Sequence, residues 1–173
     1  HLEVAKLGKS LEILHCVFFP DPCYDLPIFG ADLVVNSNNI SAGIVDLSPV
    51  GKHLPDSLIS QMRSLKVSKF TEPGKLPEWG FIFSPYVAFI RPVDFLEEKS
   101  FLELIDQYLS LLLSLLVKVQ RDEINSLDAM CRLNYQKRYC LNQKRNDKTR
   151  GILTKFFGSS WADEYINKIL FEC

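Results

Sequence analysis

Leu11-Glu12-Ile13-Leu14-His15-Cys16-Val17-Phe18-Phe19 is the most informative run in the chain for its fold. It is rich in β-branched and aromatic residues and carries only Glu12 and His15 as ionisable interruptions, so it reads as a strand covered on both faces. The flanking sequence supplies neighbouring strands. Gly8-Lys9-Ser10 separates it from an upstream strand at 2–7. A proline-bracketed loop, Pro20 to Pro27, leads to a strand at 28–35, and Asn36-Ser37-Asn38-Asn39 leads to another at 40–47. Each break has turn chemistry. A short helix is predicted over 54–65, with Pro55 in its first turn, and a fifth strand over 86–90, closed by Arg91-Pro92.

The character then changes. All nine prolines and six of the eight glycines precede Val93. Beyond it the periodicity is helical, predicting helices over 95–119, 122–144, 148–157 and 160–171. Asp94 would cap the first, with Glu97 as its capping-box partner, and Gly158 would end the third. Strands first and helices after predict an α+β fold or a layered sandwich with an antiparallel sheet. The chain has 173 residues, 47% of them hydrophobic and 24% charged, which fits a single globular domain over 1–173.

Several classes are excluded. A net charge of −1 argues against a generically basic nucleic-acid binder. The most apolar run, 109–117, is bracketed by Asp106 and Lys118 and is too short to span a bilayer. The sequence shows no secretory signal, no phosphate-binding glycine loop, no His/Cys cluster and no nucleophile elbow. Cys16, Cys23, Cys131, Cys140 and Cys173 lack metal-ligand spacing, and reduced thiols are the expectation. The opening His1-Leu2-Glu3 reads as a cut into a strand, so an N-terminally truncated piece is expected.

Glu3, His15 and Asp32 are ionisable residues inside otherwise apolar strands. If Gly8-Lys9-Ser10 is a three-residue hairpin loop, Leu7 faces Leu11 and Glu3 faces His15. If 19 pairs with 28, His15 faces Asp32. The three would then form one row on one sheet face, and a one-residue slip would undo it. Two carboxylates and an imidazole in a covered site perturb one another's protonation, as a proton-donating site requires. A structural hydrogen-bond network that holds the sheet is the alternative. His1 shares the face of Glu3 and reads as a frayed terminal residue. His53 reads as a solvated loop residue, and Asp46, in Asp-Leu-Ser-Pro, as a turn former. Between 130 and 150 lie Arg132, Lys137, Arg138, Lys144, Arg145, Lys148 and Arg150 against one acid, Asp147. That run is either a solvated helix face or a surface for an acidic partner.

Together these segments resemble the ferredoxin-dependent bilin reductases. The likeness lies in His1-Leu2-Glu3-Val4-Ala5, Leu14-His15-Cys16-Val17-Phe18-Phe19-Pro20, 25–32, Asp46-Leu47-Ser48-Pro49, Leu76-Pro77-Glu78-Trp79-Gly80, Phe89-Ile90-Arg91-Pro92 and Asn146-Asp147-Lys148-Thr149-Arg150, in order along the chain. The resemblance implies an α/β/α sandwich that holds a linear tetrapyrrole between sheet and C-terminal helices. It also implies further strands and a helix upstream of His1. Among family members it is nearest to those that form phycocyanobilin. It implies reduction of biliverdin IXα in two two-electron steps, with electrons from reduced ferredoxin and no bound metal or flavin.

The family's catalytic glutamate, histidine and aspartate fall on Glu3, His15 and Asp32. Its propionate-binding serine and lysine fall on Ser41 and Lys148. Ile13 and Trp79 fall on pocket-lining positions; Asp147 and His1 are further substrate-binding candidates, and Lys144 and Arg145 on the basic run are the candidates for steering acidic ferredoxin. An arginine that some members use for a propionate falls near Gly74 and Lys75, a departure from the pattern. A monomer in the cyanobacterial cytosol or plastid stroma is the expected setting. Three alternatives stay open on sequence: a sister reductase that forms another phytobilin, a non-catalytic bilin-binding protein, and an interaction domain using its basic helix face.

Overall fold

The computed structural model describes residues 1–172; Cys173 lies outside the described residues. Five antiparallel strands form one sheet in chain order: β1 (Leu2–Leu7), β2 (Leu11–Phe18), β3 (Ile28–Asn36), β4 (Asn39–Ser48) and β5 (Ala88–Ile90). The predicted register holds. Leu7 faces Leu11, Glu3 faces His15, and His15 faces Asp32. Gly8 turns the first hairpin at φ 64°, in the left-handed region where a residue without Cβ is unstrained. The β3–β4 turn is tighter than the four residues predicted. Asn36 still pairs with Asn39, and only Ser37 and Asn38 turn, both at positive φ, the backbone that closes a twisted two-residue hairpin. A bulge at Val34/Val35 absorbs Ser41.

Side-chain alternation gives the sheet two apolar faces. On one, Cys16, Phe29, Ala31, Val45 and Leu47 pack against α1 (Asp56–Ser64) and α2 (Phe95–Leu116) through Leu58, Met62, Phe101, Leu104, Tyr108 and Leu112. The last four are spaced three and four apart, one stripe of an amphipathic helix. The other face carries Val17 and Ile28 against Ile82 of a 3-10 turn (Glu78–Ile82) and Tyr139 of α3 (Leu127–Gln143). Beyond α3 come α4 (Asp147–Phe157), α5 (Ser159–Tyr165) and a π-helical turn (Ile166–Leu170). Helices, sheet, helices is the layered sandwich that was predicted.

The differences from expectation are local. The long helix stops at Leu116 rather than 119. The next begins at Leu127, not 122, because Ser126 caps it, while Asp122 donates its N–H to Cys23 and takes Arg132 on its carboxylate. The 3-10 turn is an element the sequence does not predict, and the 86–90 strand shrinks to Ala88–Ile90. The last helix divides into α5 and the π turn. Asp94 caps α2 as expected, but Glu97 reaches back to the Val93 N–H and binds Thr71 instead of closing the capping box on Asp94. Among the described residues no helix is long and apolar enough to cross a membrane.

Asp46 is the largest correction. It is no turn former: β4 continues through Ser48, and the Asp46 side chain is buried. Its carboxylate accepts the Ser84 hydroxyl at 2.5 Å, the Ser84 N–H at 2.8 Å and the Ser48 hydroxyl at 2.6 Å, tying β4 to the segment before β5. Burial outweighs these donors and pushes its pKa up from 3.8 to about 6. The folded state thus holds this proton more tightly than the unfolded state. The stability this gives is complete below the ordinary value and is lost as pH rises through about 6. Asp46→Ala would leave three buried donors unpaired. It should lower stability by about 3 kcal/mol in urea unfolding, whereas Asp46→Asn should retain most of it and flatten the loss between pH 4 and 7.

Candidate functional site

The row exists because the two hairpins put Glu3, His15 and Asp32 side by side on the face covered by α3–α5. His15 Nδ1 and Asp32 Oδ1 lie 2.5 Å apart, a short charge-assisted hydrogen bond. The His15 side chain is 17% exposed and that of Asp32 is 42% exposed. Asp32 is therefore the member open to a ligand, and His15 is the covered partner. Burial alone pulls the imidazole pKa down, but the hydrogen bond and charge of Asp32, with the charge of Glu3, together raise it above its ordinary value. His15 thus stays an imidazolium to higher pH than a free histidine. Its Nε2 is buried and has no hydrogen-bond partner among the described residues.

His1 joins the row instead of fraying. Its Nε2 lies 3.3 Å from Glu3 Oε2, its ring centroid is 5.6 Å from that of His15, and its carbonyl accepts the Val17 N–H. Tyr165 of α5 donates its hydroxyl to the same Glu3 Oε2. Phe171 sets its ring against that of His15, edge to face at 6.0 Å. The C-terminal segment thus covers the row. One surface cavity, of about 380 Å³, is lined by Lys52, Arg63 and Arg138 with Tyr86, Tyr135 and Tyr139. Another, of about 530 Å³, lies between Phe18–Pro20 and the apolar face of α2. Neither is lined by Glu3, His15 or Asp32.

The remaining predicted residues are placed less tightly. Ile13 is half-buried two positions from His15, on the same face. Trp79 sits in the 3-10 turn and packs near Phe83, in the cluster with Val17, Ile28 and Tyr139. Ser41 is exposed at the bulge and donates its hydroxyl to Val34 O. Asp147 and Lys148 are exposed in the first turn of α4, whose cap is Asn146. No hydrogen bond or ion pair joins Ser41, Trp79, Asp147 or Lys148 to the row among the described residues. His53 is exposed, as expected. Gly74 packs against the Phe89 ring and donates to Phe89 O, so no arginine side chain fits there; Lys75 beside it is exposed.

The basic run is smaller than it reads. Arg132 is buried, donating to Pro22 O at 2.7 Å and pairing with Asp122. Arg150 pairs with Asp163 of α5. Arg138 lies over the Tyr135 ring at 4.4 Å. Lys137, Lys144, Arg145 and Lys148 have no ion pair among the described residues, and all but the half-buried Lys144 are exposed. Tyr165, Phe171 and the buried Asp46 are what sequence reasoning missed. A tyrosine 162 residues from Glu3 carries no local signal of its partner.

A model of the ferredoxin-dependent bilin reductases matches residues 1–172. The chain belongs to that family. Within it, the chain is 52% identical over 172 residues to phycocyanobilin:ferredoxin oxidoreductase of Prochlorococcus marinus strain MIT 9313, covering 99% of this chain and 65% of that protein. It is 48% identical over 173 residues to the protein of that name from Synechococcus sp. strain CC9605, covering 99% and 70%. The chain thus spans just under two thirds of the length of the first of these bilin reductases. Among solved structures, tomato phytochromobilin synthase in complex with biliverdin matches with a TM-score of 0.75 and 23% identity, covering 94% of this chain and 60% of that one. That likeness shows a shared fold.

Proposed function

We propose that this chain carries the reductive site of an enzyme that converts biliverdin IXα to phycocyanobilin with electrons from reduced ferredoxin. The observation that carries the reading is the 2.5 Å His15–Asp32 bond standing in one row with Glu3. The names of relatives about half identical to the chain support the product and the donor.

Each reduction adds two electrons and two protons to one carbon–carbon double bond of the bilin. Ferredoxin delivers the electrons one at a time, the bilin itself holds the unpaired electron, and no metal or flavin resides on the protein. The chain supplies protons and shape. Asp32, open to the ligand, donates the central proton. His15 shares that proton, so the titration belongs to the pair. Glu3 protonates the exo-vinyl end. Ser41 turns its hydroxyl from Val34 to one propionate, and Lys148 meets the other as a point charge. Ile13, Trp79, Asp147 and His1 line the ligand. The reading places the enzyme, as a monomer, where ferredoxin is reduced: cyanobacterial cytosol or plastid stroma.

The test mixes the full-length protein with biliverdin, reduced ferredoxin and an oxygen scavenger, and follows the absorption spectrum. Conversion to phycocyanobilin is expected. Another phytobilin would overturn the product, and bilin binding without turnover would overturn the enzyme reading.

Ferredoxin docking has its own test. Lys144 and Arg145 flank the α3–α4 junction, and electrostatic steering by such charges is screened by salt. Reversing both charges, Lys144→Glu with Arg145→Glu, should slow reduction by ferredoxin about tenfold at low salt and leave biliverdin affinity within about twofold. Unchanged kinetics would place docking elsewhere.

A further inference from the structure

Tyr165 is the group that the mechanism above leaves unused. Its hydroxyl and the His1 ring both bind Glu3 Oε2, whereas Glu3 Oε1 has no hydrogen bond among the described residues. The phenol is not held by that bond alone. Its ring stacks on Trp161 at 4.7 Å and 11°, and Trp161 lies 4.4 Å from Phe157. Burial, the Glu3 hydrogen bond and the Glu3 charge all push its pKa up, so at neutral pH the phenol keeps its proton and donates a hydrogen bond to Glu3. The groups facing Glu3 are therefore His1 before β1, His15 on β2 with Asp32 behind it on β3, and Tyr165 on α5.

We propose that Tyr165 is a positioning residue for the exo-vinyl step: by holding Glu3 Oε2 it leaves Oε1 as the oxygen that carries the proton toward the bilin. The inference rests on the function proposed above. In the step, the O–H bond at Oε1 breaks and a C–H bond forms on the vinyl group. Two reduced ferredoxins supply the two electrons, and water supplies the second proton and then reprotonates Glu3. Tyr165 keeps its own proton throughout. A carboxylate held by two donors on one oxygen has lost the rotational freedom that would misdirect the transfer, and orientation of this kind acts on rate more than on binding. A lone charge-assisted hydrogen bond is of a size to matter about tenfold.

Tyr165→Phe removes the hydroxyl and keeps the stacked ring. The exo-vinyl reduction should slow about tenfold, with A-ring reduction and biliverdin affinity within about twofold, so that a two-electron-reduced bilin retaining the vinyl group accumulates. A merely structural tyrosine would lower both reductions and the affinity together, and that result overturns the proposal. So does a wild-type time course. In the bilin-free protein, the Glu3 carboxyl ¹³C resonance should also move in Tyr165→Phe at pH 7; an unmoved resonance overturns the contact and the proposal with it. If the resonance moves but the wild-type protein does not turn over biliverdin, the function reading fails and the catalytic meaning of Tyr165 falls, while the contact stands.

Discussion

Asp32→Asn should bind biliverdin within a few-fold of wild type and form product at least about a hundredfold more slowly. The substitution preserves shape and leaves an amide oxygen to accept from His15 Nδ1, but it removes the proton that a general acid must give up, a contribution of about 10² to 10⁴ in rate. Electrons still arrive, so a bilin radical should build up in anaerobic single-turnover mixing. The structure adds a second readout. The hydrogen bond and charge of Asp32 are the larger part of what raises the His15 pKa against the lowering effect of burial, with the Glu3 charge behind them, so the His15 midpoint, followed by NMR of the bilin-free protein, should fall in the variant. A wild-type yield of product would remove Asp32 from the chemistry. An unchanged midpoint would mean that the 2.5 Å bond is not the one that holds the imidazolium. The same coupling has a stability consequence. The raised His15 pKa stabilises the fold fully below pH 6.5, and that contribution is lost as pH rises through the raised value.

Glu3→Gln should separate the two reductions. Glutamine keeps the volume and can still accept from Tyr165 and His1, but it cannot release a proton at neutral pH. The exo-vinyl reduction should fall by about a hundredfold, while the A-ring reduction, served by Asp32 and His15, proceeds. The product should stall as a two-electron-reduced bilin that keeps the vinyl group, identified by its absorption and by chromatography. Full conversion to phycocyanobilin would make Glu3 a structural partner of His15. Loss of both reductions would make the row a single proton network. The geometry favours separation: Glu3 is held from α5 by Tyr165 and from the β1 side by His1, and the bond to Asp32 belongs to His15.

The row itself was legible because it depends on local arithmetic. A three-residue loop fixes which residue faces which, and strict alternation fixes the face, so the sequence aligns Glu3, His15 and Asp32. The five strands and the helical second half followed from period and from breakers, and Asp94, Ser126 and Asn146 cap their helices with short polar side chains. Boundaries were weaker where capping competed with periodicity. Residues 122–126 continue a helical pattern, yet Ser126 starts the helix because Asp122 is occupied by Arg132 and its N–H by Cys23.

What sequence could not give is anything set by contact between distant segments. Asp46 sits in a sequence that favours a turn, and only the approach of Ser84, 38 residues away, makes burying its carboxylate tolerable. The seven basic residues between 130 and 150 are equivalent in the sequence; Asp122 and Pro22 hold Arg132 in the interior, and Asp163 pairs the charge of Arg150. Tyr165 and Phe171 reach Glu3 and His15 only because α4 and α5 fold back over the sheet. Strand register, and with it the row of Glu3, His15 and Asp32, follows from the sequence alone, since both come from the covalent geometry of short loops and the two-residue period. Tertiary structure decided which of those groups is open to a ligand, which is covered, and which distant side chain orients it, since burial and long-range hydrogen bonds are properties of the packed chain as a whole.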